Sequence, residues 1–444
     1  MPSGDLAVCV DFGSTFTKAS LVDIDAGRIL ARAEHATTIE TDLLDGYDAC
    51  LADLTRVVRG ARNAEVLACS SAGGGLRIAV VGNEELVTAE AGRRVALSSG
   101  GKVVSVIAAA GGVVPGHLGD PDVVLLTGGT DGGNVEAITS AARDLVAAGW
   151  TGPVVVAGNV DAQADVSTIL GDLPHVPAAN VVPRIGVLAP DSARAAIRET
   201  FLAHVIGGKH LSARDDFTAM VRGATPDVVL TGVEVLAQAA GDVVVVDIGG
   251  ATTDVHSVVR LDPEDAELSR EVVATTPVSR TVEGDLGMRW SAVSTAAEAG
   301  LDDLRDAAVR RAAEPAFLPT SAGERDEDER LAAAGVRLAL QRHAGRSRVV
   351  VSPEGRVVER SGKDLRQVRL VVGSGGVLRH GRAGIEERVL WPCAGADLAG
   401  GWQLPEDPVM VVDGDHVLAA VGLLAGPHPD AAYRLALTLL EHGA

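Results

Sequence analysis

Two short glycine-rich stretches decide the fold: Asp11-Phe12-Gly13-Ser14-Thr15-Phe16-Thr17-Lys18 and Asp247-Ile248-Gly249-Gly250-Ala251-Thr252-Thr253-Asp254. Each follows an apolar, β-branched run, Leu6 to Val10 or Val243 to Val246, and each precedes another alternating apolar stretch. This pattern predicts a strand, a tight turn and a second strand, with an aspartate at the end of the first strand. Both copies carry Asp first, Gly two residues later and Thr six residues later, so the sequence predicts an internal duplication.

The residue types of these turns suit an anion. Glycine lets backbone N–H groups converge without obstruction from Cβ, and the hydroxyls of Ser and Thr add donors. One such turn by itself is better explained as a simple tight hairpin. A matched pair, each presenting an aspartate, is better explained as a clamp that closes on opposite sides of a polyphosphate with Mg²⁺ between them.

Composition favours a cytoplasmic enzyme with more than one domain. A chain of 444 residues exceeds one ordinary core, so two or three domains are expected. Aromatic residues make up only 2%, which leaves Val, Leu and Ala to fill the cores. The longest apolar stretch, Val103 to Pro115, is interrupted and is shorter than the roughly 18 residues of a membrane span. The N-terminus carries Asp5 and no basic region, so no secretory signal is expected.

Charge and cysteine usage exclude several classes of partner. The net charge of −21 repels nucleic acid. Only four of the 39 basic residues are lysines, and Lys18 lies inside the first turn, where it can meet a phosphate. A solvated surface lysine is the alternative. The four cysteines are far apart, so neither a zinc site nor a metal cluster held by several cysteines is expected.

Three further stretches are candidate parts of a site. Alternating strands and helices between Ser71 and about Met220 predict a parallel, doubly wound subdomain, whose GGTDGGN loop at 128–134 is equally well an anion nest or a plain strand-to-helix turn. Glu283 and Asp285 flank a glycine and can meet ribose hydroxyls or a metal, although a surface turn is a simpler explanation. The strand before Gly373-Ser374-Gly375-Gly376 ends in glycines, which allows a base or α-phosphate to approach the backbone.

Taken in order, the turn at 11–18, the turn at 247–254 and the stretch VVGSGGVL at 371–378 resemble the phosphate-1, phosphate-2 and adenosine elements of the ATPase superfamily of actin, heat-shock chaperones and sugar kinases. Within that superfamily the chain resembles the glutamate mutase accessory proteins (MutL/GlmL). This resemblance covers nearly all of the chain and rests on four stretches: GGTDGGN at 128–134, AGNVDAQ at 157–163, RTVEGDLGMR at 280–289 and SGKDLRQVRLVVGSGGVL at 361–378.

The resemblance implies an α/β fold with duplicated ribonuclease-H-like, actin-type lobes that close on Mg–ATP, and an inserted doubly wound subdomain. The expected domains are a first lobe (1–75), the insert (76–222), a second lobe with its connecting helix (223–425) and a C-terminal helix (426–444). Asp11 and Asp247 are implied to be catalytic and to hold Mg²⁺ through water, with Asp247 orienting the attacking water. The implied contacts to ATP are Gly13, Ser14, Thr15, Lys18, Gly249, Gly250, Thr252, Thr253, Gly373, Ser374, Gly375 and Gly376.

Accessory proteins of this kind serve adenosylcobalamin-dependent mutases or aminomutases, so the implied partner is a mutase subunit, and a homodimer is compatible with this role. The resemblance implies maintenance or reactivation of the mutase by ATP hydrolysis, which releases lobes that γ-phosphate contacts hold closed. A small-molecule kinase of the same superfamily is the main alternative. An activator of radical dehydratases would need closely set cysteines, which this sequence lacks, and nothing in it favours an actin-like filament.

Overall fold

The computed structural model describes residues 5–72, 75–109, 115–208, 211–214, 216–260, 276–352, 355–397 and 399–441. Its strands are Leu6–Phe12 (β1), Phe16–Asp23 (β2), Arg28–Ala36 (β3), Glu65–Ser70 (β4), Arg77–Gly82 (β5), Lys102–Ala108 (β6), Val123–Leu126 (β7), Val154–Val156 (β8), His175–Pro177 (β9), Val221–Ala224 (β10), Val243–Ile248 (β11), Thr253–Val258 (β12), Val278–Glu283 (β13), Arg346–Ser352 (β14), Gly355–Ser361 (β15), Leu370–Ser374 (β16) and Val409–Val412 (β17). Its helices are Leu43–Val57, Glu90–Ser98, Val135–Ala147, Gln163–Leu170, Asp191–Thr200, Ile206–Gly208, Asp216–Met220, Thr225–Ala240, Ala292–Glu298, Arg305–Ala313, Ala322–His343, Gly376–Arg379, Ile385–Val389, Val417–Leu424 and Pro429–Glu441.

Two of the sheets have the same topology. The first has the order β10-β4-β1-β2-β3 and the second β13-β12-β11-β16-β17. In each, the strand that ends in the glycine-rich turn is antiparallel to the next strand, which is antiparallel to a third. The strand before each turn also pairs in parallel with a later strand, β1 with β4 and β11 with β16. That later strand pairs in parallel with the fifth strand of its sheet, β4 with β10 and β16 with β17. The duplicated α/β lobes expected from the two turns are therefore confirmed.

Strand β10 completes the first sheet late in the chain. It pairs in parallel with β4, with Val221 opposite Ala68, directly before the helix Thr225–Ala240 begins. The predicted insert ends at 222, whereas β10 begins at Val221. Arg222 and Gly223 interrupt its apolar pattern, so the sequence did not indicate a strand here.

The inserted subdomain has a sheet of its own. Its order is β6-β5-β7-β8-β9, and every pairing is parallel. The order reverses at β5, as in other doubly wound sheets. Strand β7 is fully buried along its length, because one side of the sheet packs under the helices Glu90–Ser98 and Asp191–Thr200 while the other packs under Val135–Ala147 and Gln163–Leu170. Burial on both faces explains why these strands are continuously apolar.

The chain divides into two compact units. One comprises the described residues up to Gly232 together with Ala419–Arg434, and the other comprises those from Val233 to Leu418 and from Leu435 on. In the first unit the lobe and the insert share one buried cluster, in which Val10 and Leu54 join Val80 and Leu125. In the second unit, strand β11 packs on the long helix Ala322–His343. No helix within the described ranges is long and apolar enough to cross a membrane.

Candidate functional site

The first turn is closed by its own backbone and held by one residue from a neighbouring loop. The N–H of Gly13 donates to the carbonyl of Phe16 at 3.1 Å. Thr37, just after β3, donates its hydroxyl to the Gly13 carbonyl at 2.8 Å and its N–H to the Thr15 carbonyl at 2.9 Å. A trans peptide holds its C=O and the following N–H on opposite sides. The N–H groups of Ser14 and Phe16 therefore point away from Thr37, and Ser14 and Thr15 are themselves exposed.

Asp11 lies almost at the end of β1 and is only 8% exposed. The hydroxyl of Thr225 donates to its Oδ1 at 2.7 Å, and Nζ of Lys18 lies 3.6 Å from its Oδ2. Cys69 also donates to Oδ1 at 3.6 Å; burial, and then the charge of Asp11, raise the pKa of this thiol well above its ordinary value. The carboxylate is thus held by two hydrogen-bond donors and a nearby ammonium, and neither Thr225 nor Cys69 was predicted from the sequence to bind it.

The second turn is closed in the same way but held by a different element. The N–H of Gly249 donates to the carbonyl of Thr252 at 2.9 Å. Three consecutive carbonyls of the turn accept hydrogen bonds from the segment after β13: Gly249 from the N–H of Met288 (3.0 Å), Gly250 from the N–H of Arg289 (2.7 Å) and Ala251 from the hydroxyl of Ser291 (2.6 Å). The N–H groups of Gly250, Ala251 and Thr252 therefore face the opposite side, where no described residue accepts from them.

The segment that holds the second turn is itself anchored in the second unit. Gly287 packs so closely on the turn that a Cβ there would lie 2.7 Å from the carbonyl carbon of Ala251. The guanidinium of Arg289 donates to Asp328 on the helix Ala322–His343 at 3.1 Å and lies over the ring of Phe317. Three outward N–H groups on a turn held this firmly form a concave donor set that suits a phosphate.

Charge is arranged differently around the second aspartate. Asp247 is partly exposed and lies opposite Asp254 in the hairpin, at the position that Lys18 takes opposite Asp11. The cation comes instead from Arg280 on β13, whose Nε and Nη2 both donate to Oδ1 of Asp254, at 3.0 and 2.5 Å. No pattern in the sequence links Arg280 to Asp254, because the two become adjacent only once β12 and β13 pair.

Some predicted residues have other partners within their unit. Thr253 is fully buried and donates its hydroxyl to the carbonyl of Leu286 at 3.0 Å. Glu283 and Asp285 accept hydrogen bonds from Arg342, at 2.8 and 2.7 Å, and that bond is the main reason why the pKa of Asp285 lies below its ordinary value. These contacts favour structural roles for the three residues over contacts with a nucleotide.

The third glycine-rich stretch ends β16 beside the second turn. Ser374 lies opposite Asp247 in the parallel pairing of β11 and β16. Gly375 has a φ of 115°, and a Cβ there would lie 2.2 Å from the carbonyl oxygen of Ile248, so only glycine fits. The carbonyl of Gly373 accepts from the N–H of Asp413, which follows β17. The carboxyl ends of β11, β16 and β17 thus meet at one edge, where ligands bind in open α/β sheets.

Several groups of the loop 128–134 in the insert bind to surrounding residues. The Gly132 N–H donates to Asp161 at 2.8 Å, and the side chain of the buried Asn180 donates to Asp131 at 2.8 Å. Asn134 caps the helix Val135–Ala147. These bonds favour the plain strand-to-helix turn over the anion nest. Within the described ranges, no group of three or more His, Cys, Asp or Glu side chains is placed to hold a metal ion.

Comparison with known proteins identifies the family. The family described as "MutL protein" matches residues 7–440. "Protein MutL" of Clostridium tetanomorphum is 35% identical over 456 residues, which covers 97% of this chain and 98% of that protein. Among solved structures, the ethanolamine utilization protein EutJ of Carboxydothermus hydrogenoformans is 11% identical with a TM-score of 0.29, covering 98% of this chain and 89% of its own. The ROK hexokinase of Thermus thermophilus is 12% identical with the same TM-score, covering 98% and 99%. The chain therefore belongs to the MutL family, the glutamate mutase accessory proteins that its motifs resemble.

Proposed function

We propose that this protein binds and hydrolyses Mg–ATP in order to maintain or reactivate an adenosylcobalamin-dependent mutase. The observation that carries the ATP-binding part is the pair of turns whose carbonyls are engaged on one side, so that their N–H groups face the other. Membership in the MutL family supports the mutase as partner.

The residues divide by chemistry. The N–H groups of Ser14 and Phe16, the side chains of Ser14 and Thr15 and the Lys18 ammonium bind phosphate oxygens from the first turn. The N–H groups of Gly250, Ala251 and Thr252 bind them from the second. Gly13 and Gly249, whose own N–H groups close the turns, leave room for the phosphates to approach. The glycines of the stretch 373–376, with Ser374, lie along the adenosine. The N–H, hydroxyl and ammonium groups of the two turns are hydrogen-bond donors. The oxygens of a polyphosphate are acceptors, so the two sets match.

Asp11 and Asp247 act on the same nucleotide through Mg²⁺. Carboxylate oxygens suit Mg²⁺, which keeps several of its waters, so two aspartates acting through water are a fitting donor set. When bound, the ion neutralises the charge that develops on the phosphates. Asp247, which is the more exposed of the two, also orients the attacking water as a hydrogen-bond acceptor.

The test compares ATP binding and hydrolysis by the parent with those of Asp11→Asn and Asp247→Asn. We expect both variants to lose hydrolysis by at least about 100-fold. Asp172→Asn, at an exposed position of the insert, is the matched control and should behave as the parent. A parent protein that neither binds nor hydrolyses ATP, or an Asp247→Asn variant as fast as the parent, contradicts the proposal.

The partner is tested by retention of purified adenosylcobalamin-dependent mutases on the immobilised full-length protein, with and without ATP. We expect retention to depend on the nucleotide in the parent and to lose that dependence in Asp247→Asn. Transfer of the γ-phosphoryl group to a metabolite hydroxyl in the same hydrolysis assay would instead favour the kinase alternative.

A further inference from the structure

We infer that the side chain of Thr252 binds the attacking water rather than a phosphate, because Asp254 and Arg280 fix its hydroxyl as a hydrogen-bond acceptor. This inference rests on the proposed ATP hydrolysis and names the residue that positions its nucleophile. Thr252 is the group that contacts the water; Asp254 and Arg280 are positioning residues that act through it.

Arg280 holds the carboxylate of Asp254 in place. Both donor nitrogens of Arg280 reach its Oδ1, and the Arg280 side chain is only 4% exposed. A guanidinium has only hydrogen-bond donors, so Oδ1 of Asp254 accepts both of these hydrogen bonds. An ionised carboxylate can only accept hydrogen bonds.

The hydrogen of the Thr252 hydroxyl is used in a bond to Asp254. Oγ1 of Thr252 lies 3.2 Å from Oδ2 of Asp254, so in this contact Thr252 is the donor. A hydroxyl has one hydrogen and two lone pairs, and its remaining capacity is therefore only to accept. The oxygens of an ionised triphosphate also only accept. The hydroxyl consequently fits a donor, and a water molecule is the donor that hydrolysis requires.

The two turns differ at the position of Thr252. Thr252 closes the second turn through its carbonyl as Phe16 closes the first, so the two residues are equivalent. Phe16 has no polar side-chain atom, whereas Thr252 combines a phosphate-facing N–H with an acceptor hydroxyl. The N–H groups of Gly250 and Ala251 hold the phosphate, and the hydroxyl holds the water on the same turn. Water activation therefore belongs to the second turn alone.

Thr252 is chemically unchanged by the hydrolysis step. The water oxygen forms a bond to the γ-phosphorus while the bond from that phosphorus to the bridging oxygen breaks, and the electron pair of the broken bond leaves with ADP. One proton of the water is released as inorganic phosphate forms. Thr252 accepts a hydrogen bond from the water throughout and keeps its own proton on the bond to Asp254.

The test separates binding from hydrolysis in Thr252→Val and Thr252→Ser. Valine has the shape of threonine without the hydroxyl, so we expect single-turnover hydrolysis to fall about 10- to 100-fold while the Kd for ATP changes less than about threefold. Serine retains the hydroxyl and should restore hydrolysis to within about threefold of the parent. Thr55→Val, at a partly exposed site on the helix Leu43–Val57, is the control for a lost threonine hydroxyl.

A second variant tests the direction of the hydrogen bond. In Asp254→Asn the amide can donate to Thr252, which frees the hydroxyl to turn its hydrogen towards a phosphate. Hydrolysis should then fall as in Thr252→Val, while ATP binds as tightly as in the parent or more tightly. Thermal melts of all variants check that they are folded.

Two results would overturn the inference in a parent that hydrolyses ATP. One is a Thr252→Val variant that weakens ATP binding as much as it slows hydrolysis, since the hydroxyl would then be a phosphate donor. The other is a Thr252→Val variant that hydrolyses ATP at the parent rate. Absence of ATP hydrolysis in the parent is the separate failure of the proposed function.

Discussion

The two glycine-rich hairpins have the same backbone and different supports. Both close with an N–H to C=O bond across the turn, at 3.1 Å in the first and 2.9 Å in the second. In the first, a single threonine after β3 holds two carbonyls; in the second, three residues of the segment 288–291 hold three. Both turns therefore keep N–H groups exposed on one side. The loops that bind the carbonyls on the other side come from different parts of the chain.

The two hairpins also differ in charge. Asp11 has a cation on its own hairpin, since Lys18 lies opposite it. Asp247 has a second carboxylate opposite it, and the balancing Arg280 comes from the next strand. The first hairpin therefore carries its own countercharge, whereas the second depends on the pairing of β12 with β13.

The largest difference in stability is expected from removing each of these cations. Arg280→Met leaves the Asp254 carboxylate, whose side chain is 16% exposed, without its main partner and opposite Asp247. Breaking a buried pair in this way should cost about 3 kcal/mol in the free energy of unfolding. Lys18→Met removes a cation that is 25% exposed and 3.6 Å from its partner, and should cost less than about 1 kcal/mol.

Urea unfolding of both variants measures this difference. The double variant Arg280→Met/Asp254→Asn removes both charges and should recover most of the lost stability, which identifies the unpaired carboxylate as the cause. Equal losses in the free energy of unfolding for Arg280→Met and Lys18→Met would contradict this comparison. The second hairpin would then depend no more on the cation from the next strand than the first depends on its own lysine.

A smaller effect is expected from alanine at the equivalent glycines of the two turns. A Cβ at Gly13 would lie 2.6 Å from the carbonyl oxygen of Phe16, whereas one at Gly249 would lie 3.2 Å from that of Thr252. The first contact forces the backbone apart and the second needs only a slight adjustment. We expect Gly13→Ala to cost about 1.5 kcal/mol and Gly249→Ala less than about 0.5 kcal/mol.

The measurement is again the free energy of unfolding, with ATP affinity as a second readout. Gly207→Ala, where an added Cβ has open space, is the control. If Gly249→Ala were the more destabilising variant, the second turn would be the tighter of the two, contrary to its geometry.

The smallest effect concerns acid stability of the second unit. Hydrogen bonds from Arg382 and then Arg388 lower the pKa of Glu329 from 4.5 to about 2. Because the folded pKa lies below the unfolded one, this stabilisation is present above pH 4.5 and is lost as the pH falls towards 2. Glu329→Gln should lower the melting midpoint at neutral pH on the order of 2 °C and show a weaker dependence on pH between these values.

Tryptophan fluorescence is a suitable probe, because Trp290, Trp391 and Trp402 belong to the second unit and only Trp150 to the first. Asp326→Asn, an exposed carboxylate nearby on the same helix, is the control. An unchanged pH profile in Glu329→Gln would show that this cluster does not contribute to acid stability.

The sequence alone was enough for much of the fold. The spacing of Asp, Gly and Thr in the two turns predicted a duplication, and the matching order of the two sheets confirms it. The alternation of strands and helices after Ser71 predicted the parallel insert, since continuous apolar runs are typical of strands buried on both faces. The strand β10 was missed, because Arg222 and Gly223 carry no apolar pattern and the strand is defined only by its pairing with β4.

The sequence by itself determined the local chemistry: which residues form tight turns, where the carboxylates end their strands, and to which family the chain is similar. Only the tertiary structure decided which partners those groups have. It assigned Thr225 to Asp11, Arg280 to Asp254 and Arg342 to Glu283, pairs that lie 26 to 214 residues apart in the chain. The physical reason is that a turn follows from backbone preferences of a few adjacent residues, whereas a hydrogen bond across strands depends on a register that the whole buried sheet sets.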